Sequence, residues 1–184
     1  ADSGLQTYRG AGGLYNDSGT VIVNNSVIAG NAGGVNNEGW MTVTNSIVEN
    51  NSGMGIINKR AMTLDGSIVS GNSGGISNYA GTLTLNNTTV IGNASNGIDN
   101  IGWAANLFLN NSTVSGNAGA GMTNQAANIT LNNVTITANG SVGITTMEDY
   151  SPVTIQNTII AGNLTDCGGP ITTLGYNIIG TTSG

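Results

Sequence analysis

The stretch Thr82–Asn93, TLTLNNTTVIGN, preceded by GGISN at Gly74–Asn78, decides the fold, because variants of this phrase recur along almost the whole chain. Finding that period comes before any other reading. Aligned on their second apolar residue, the copies stand at Val23, Val43, Leu64, Leu85, Leu109, Leu131 and Ile155, spaced 20, 21, 21, 24, 22 and 24 residues apart. Two residues earlier lie Val21, Met41, Met62, Leu83, Leu107, Ile129 and Val153. Alternation with period two puts both columns on one face of a strand. The residues between them, Ile22, Thr42, Thr63, Thr84, Phe108, Thr130 and Thr154, point the other way. Most are Thr, a β-branched residue suited to an exposed strand face.

Further columns run parallel to these. A third apolar column is filled by Ile28, Val48, Val69, Val90, Val114, Ile136 and Ile160, and a fourth by Leu14, Val35, Ile56, Ile76, Ile98, Met122 and Ile144. Asparagine marks the bends in three series. The first is Asn25, Asn45, Asn87, Asn111, Asn133 and Asn157, with Gly66 in the remaining place. The second is Asn31, Asn51, Asn72, Asn93, Asn117, Asn139 and Asn163. The third is Asn16, Asn37, Asn58, Asn78, Asn100 and Asn124, closed by Thr146. Asn tolerates the left-handed backbone of a tight bend. An inward-turned amide can also donate to the next coil and accept from the one before, so the Asn residues are expected to form structural ladders.

A unit of three short β segments cannot bury its apolar side alone, but stacked units pair as parallel strands around a common core. The expected architecture is therefore all-β: a right-handed parallel β-helix of about seven coils, roughly 34 Å long at one strand spacing per coil. Leucine-rich repeats share the period but need more Leu and a returning convex segment. Hexapeptide helices need a stricter beat. One domain is expected, with a partial first coil over 1–12, regular coils over 13–163 and an irregular C-terminal coil over 164–184, either entire or as a piece of a longer rod.

Composition narrows the partners. Nine acids face three bases, Arg9, Lys59 and Arg60, for a net charge of −6. A basic patch able to neutralise phosphates is absent from such a sequence, so nucleic acid is not expected as a partner. No apolar run approaches a membrane span. Cys167 is the single cysteine, and its partner, if it has one, lies outside the chain. The start at Ala1 suits a mature secreted product or a cut fragment.

The GG-apolar motif at Gly74, Gly75 and Ile76 and the apolar-x-x-Asn motif at Val90–Asn93 resemble the repeats of bacterial right-handed β-helix surface proteins, in the pectate-lyase-like superfamily. The likeness is to repeats of the polymorphic-outer-membrane-protein type. The segment Cys167 with Gly175, Tyr176, Asn177, Ile178, Ile179 and Gly180 is similar to the choice-of-anchor type. The resemblance implies a β-helix in a secreted or cell-surface setting.

Chemistry is sparse. The acids Asp2, Asp17, Glu38, Glu49, Asp65, Asp99, Glu148, Asp149 and Asp166 do not recur on adjacent coils, apart from Asp17 and Glu38. Lyase or hydrolase chemistry needs converging carboxylates and a base, and histidine is missing altogether. The expectation is a non-catalytic extracellular module, with no catalytic residues, metal or cofactor. A polysaccharide lyase or hydrolase relative is one alternative, and a filament subunit stacking end to end through open β-helix ends is another. The loop before the second β segment carries Trp40, Tyr79, Trp103 and Tyr150, together with Lys59, Arg60, Glu148 and Asp149. Coil stacking lines these residues along one edge, and aromatics there suit a glycan or a surface protein. The regular Thr row also resembles ice-binding surfaces, a reading weakened by Ile22 and Phe108.

Overall fold

The structure, a computed structural model, describes residues 12–125, 127–147 and 152–183. The described residues form three parallel sheets, of nine, eight and eight strands, each built from one strand per coil. The coil containing the opening phrase contributes Gly74–Tyr79 to the first sheet, Thr82–Asn86 to the second and Thr89–Ile91 to the third. Register follows the repeat: Leu83 stands between Met62 and Leu107, and Leu85 between Leu64 and Leu109. No helix among the described residues is long and apolar enough to cross a membrane.

The inward columns close into one core. Val43, Leu64, Leu85 and Leu109 of the second sheet, Val48, Val69, Val90 and Val114 of the third, and Ile56, Ile76 and Ile98 of the first are all fully buried. Repeating the same branched residue in each coil lets like stack on like at the strand spacing, which fills the interior closely. The chain beyond Asn163, expected as an irregular coil, contributes short strands to all three sheets. Thr165–Gly168 and Thr182–Ser183 extend the first sheet, Thr172–Thr173 the second and Ile178–Ile179 the third. The stack thus makes about eight turns rather than seven.

The three Asn series do different things. In the second series, the Nδ2 of Asn51 donates to Asn72 at 2.9 Å, Asn72 to Asn93 at 3.1 Å, and Asn93 to Asn117 at 2.9 Å. Asn117 and Asn139 continue to Asn163. The third series makes a second buried ladder, with Asn37 donating to Asn58 at 2.9 Å and Asn58 to Asn78 at 2.8 Å. The first series, expected to turn inward, does not. Asn25, Asn45, Asn87, Asn111, Asn133 and Asn157 have φ between 48° and 54° and are exposed. The left-handed bend itself is what selects Asn here, and Gly66, at φ 58°, fills the one exception. Their amides link along the surface instead, Asn133 reaching Asn111 at 3.1 Å, Asn111 reaching Asn87 at 3.5 Å and Asn87 reaching Asp65 at 2.9 Å.

The GG motif also gains a reason. A Cβ on Gly55, Gly97 or Gly143 would lie 2.7 Å from the ladder nitrogen of Asn72, Asn117 or Asn163. Small residues there make room for the ladder. A hydroxyl column next to the exposed Asn bends has no counterpart in the sequence reading: the N–H of Ser46 donates to the Oγ of Ser67 at 3.2 Å and that of Thr88 to Ser112 at 3.1 Å. Val134 interrupts it, because its buried side chain offers no acceptor.

Candidate functional site

The turn from the first to the second sheet is the place where charge and aromatic rings collect. The third Asn series holds this turn closed from within: Asn37 Nδ2 donates to the carbonyls of Gly39 at 3.0 Å and Ala61 at 3.0 Å. With the backbone fixed in this way, the residues after each ladder Asn project outward on successive coils, and Asp17, Glu38 and Lys59 follow one another. Lys59 Nζ pairs with Glu38 Oε1 at 2.7 Å. Both side chains are substantially exposed, so the pair orders the surface more than it stabilises the fold.

Tyr15 lies in the same cluster, its hydroxyl donating to Asp17 Oδ1 at 3.3 Å. Partial burial, and then the Glu38 and Asp17 carboxylates, push its phenol up to about 12. Ionising it would place a third negative charge beside two existing ones. Arg60, one residue beyond Lys59, turns to the second sheet and sets its Cζ 3.8 Å from the centroid of the Trp40 ring. That is a cation–π contact.

Trp40, expected in a loop, is instead the first residue of the strand Trp40–Thr44, flanked in register by Thr20 and Ala61. It borders a shallow groove of about 170 Å³ on the outer face of the second sheet, shared with Thr42, Ala61, Thr63, Thr82 and Thr84. Ala61 leaves this space, because it stands where the neighbouring coils carry Trp40 and Thr82. Tyr79 ends the first-sheet strand of its coil and is exposed, and Trp103 stands in a turn, 78% exposed. Tyr150, Glu148 and Asp149 lie outside the described residues. The edge therefore brings Trp40 together with Arg60, while Trp103, three coils further on, stands apart from them.

One carboxylate reads in the sequence only as a scattered acid. Asp99 sits on the outer face of the first sheet, between Ser77 and Thr123 in register. Asn96 Nδ2 at 2.8 Å and Thr123 Oγ1 at 2.6 Å both donate to its Oδ1. No sequence motif marks it, since its partners come from a preceding bend and from the next coil.

No protein-family model matches this chain, and no curated protein does. Among solved structures it is similar to pectate lyase Pel9A, with a TM-score of 0.61 and 13% identity over 82% of this chain and 51% of that one. It is also similar to the A-module of the Azotobacter vinelandii mannuronan C-5 epimerase AlgE4, with a TM-score of 0.47 and 13% identity, covering 89% of this chain and 64% of that one. This chain thus spans about half the length of the pectate lyase chain. The likeness to the lyase corrects the expectation of a non-catalytic protein. That expectation counts acids at equivalent places on adjacent coils, finds only Asp17 and Glu38, and takes that pair as solvated loop charges. It places Asp17, Glu38, Lys59 and Arg60 on one edge but not their contacts, with Tyr15 on Asp17, Lys59 on Glu38 and Arg60 on Trp40, and a scarcity of motifs does not exclude catalysis on a scaffold of this kind. What the chain shares with pectate lyase is the parallel β-helix fold.

Proposed function

We propose that this chain is a polysaccharide-active β-helix that acts outside the cell on an acidic, uronate-containing glycan bound along the Trp40 groove. The observation that carries the reading is the meeting at one edge of a ring, two cations and a row of hydroxyls: Trp40, Lys59, Arg60 and Thr42, Thr63 and Thr84. Rings stack on the apolar faces of sugars, hydroxyls satisfy theirs, and a guanidinium pairs with a carboxylate through charge-assisted hydrogen bonds. Lys59 and Arg60 are the only cationic side chains among the described residues, in a protein of net charge −6.

Cleavage of a uronate chain by β-elimination removes the proton α to the carboxyl and expels the β oxygen, leaving a carbon–carbon double bond. The step calls for a cation against the carboxylate, a proton acceptor and a proton donor. Arg60 supplies the first. The Glu38–Lys59 pair supplies the other two, side by side. Incubation with polygalacturonate, followed by ultraviolet absorbance of unsaturated uronate, is the test. Product that accumulates with the wild type and is lost in Lys59→Ala and Glu38→Gln supports the reading. Neither product nor binding to the polymer overturns it.

A further inference from the structure

We infer that Arg60 is the specificity gate of the Trp40 groove, admitting anionic sugars and holding neutral ones off the ring. The inference rests on the polysaccharide reading above and adds the means of selection. Arg60 sits with Cζ 3.8 Å from the ring centroid, so a ring face that a sugar would use is already covered. Among the described residues the cover has no ion-pair anchor elsewhere. Glu38, a carboxylate of the same turn, is taken by Lys59 at 2.7 Å, and among the described residues Arg60 has no ion-pair partner. Arg60 is exposed, and Ala61, next to it in sequence, lines the groove beside Trp40.

The consequence is an asymmetry between ligands. A neutral sugar that stacks on Trp40 must displace the guanidinium and gives it nothing in return. A uronate displaces it too, but its carboxylate then receives two parallel N–H donors from the planar fork. Discrimination therefore comes from what the displaced cation meets, without any steric wall against neutral glycans. It also predicts a gain of binding on deletion, which a simple anion contact does not.

The experiment measures affinity, by calorimetry, of the wild type, Arg60→Ala and Trp40→Ala for an oligogalacturonate and for a neutral β-glucan oligosaccharide. Arg60 is exposed, and circular dichroism of each variant checks that the fold is kept. Relative to the wild type, Arg60→Ala should bind the neutral oligosaccharide roughly two- to fivefold more tightly, the release expected of an exposed cation–π contact. The same variant should bind the oligogalacturonate about tenfold or more weakly, as befits loss of a charge-assisted pair. Trp40→Ala should lose both ligands. Wild-type affinity for oligogalacturonate with no neutral gain in Arg60→Ala overturns the gate and leaves the polysaccharide reading standing. Failure of the wild type to bind oligogalacturonate overturns both.

Discussion

Asn87 and Asn93 belong to the same coil, six residues apart, and their environments make opposite demands. Asn87 is exposed at φ 51°, so its value is conformational. Asn93 is 1% exposed; its Oδ1 accepts from the N–H and the Nδ2 of Asn72, and its own Nδ2 donates to Val69 and Asn117. Substituting Asn93→Ala strands buried donors and acceptors on both neighbours, and should cost about 3 kcal/mol or more in chemical denaturation, at about 1–3 kcal/mol per orphaned group. Asn87→Gly keeps the left-handed bend and should change stability by less than about 1 kcal/mol. Equal costs for the two would contradict the separation of bend from ladder. Tyr15 offers a second test at this scale. Its phenol titrates at about 12 because of partial burial and the Glu38 and Asp17 charges. Removing those charges in an Asp17→Asn, Glu38→Gln double variant should bring the ultraviolet titration of Tyr15 down towards the usual value near about 10. In the wild type the folded state holds this proton while the unfolded chain loses it, so the contribution of Tyr15 to stability is present below about 10 and falls as pH rises towards 12.

The ladder as an element has a direction. From Asn51 onward each Nδ2 of the second series donates to the next coil, so its last member needs an acceptor that demands nothing further. Asp166 provides it. Oδ1 accepts from the N–H and the Nδ2 of Asn163, at 2.8 and 2.9 Å, and Oδ2 accepts from the N–H of Thr181 at 2.6 Å and its Oγ1 at 3.1 Å. Burial works to raise the pKa of this carboxyl, but these hydrogen bonds outweigh it, and the group is held below the ordinary carboxylate value. A depressed carboxyl stabilises the fold above its unfolded value, near about 3.9, and that stability is lost as pH falls through the lower folded value. Asp166→Asn puts an amide where only acceptors fit, and should cost about 1–3 kcal/mol at neutral pH. The variant should also show a flatter loss of stability in acid than the wild type. The neighbouring Cys167 thiol, pushed up to about 11 by burial and then by the Asp166 charge, should resist alkylation in the folded protein.

Across the whole molecule, what the repeat controls is legible in the sequence, while of the turns only their common edge is legible and not the contacts made there. Leu83, Leu85 and Val90 announce a core because every coil repeats them, and period alone places them in three sheets. The Gly55 and Gly97 column and the second and third Asn series follow the same rule. The site obeys a different one. Glu38 and Lys59, or Asp99 and Thr123, meet because a coil returns to the same height one strand spacing further on, and the residues involved have no common identity that a column could reveal. Trp40 and Arg60 are both visible as unusual residues, but their contact depends on the direction each side chain takes at the start of adjacent strands. The C-terminal coil reads as irregular for a related reason: its strands are two residues long in the second and third sheets, too short for alternation to show. The central claim, that a glycan is engaged at Trp40, has a direct optical test, because the chain holds just two tryptophans. Fluorescence of Trp103→Phe reports Trp40 alone, and that of Trp40→Phe reports Trp103. Titration with oligogalacturonate should change the emission of the Trp103→Phe protein saturably and leave that of the Trp40→Phe protein unchanged. A flat response from Trp40, or a saturable one from Trp103 only, would contradict the account.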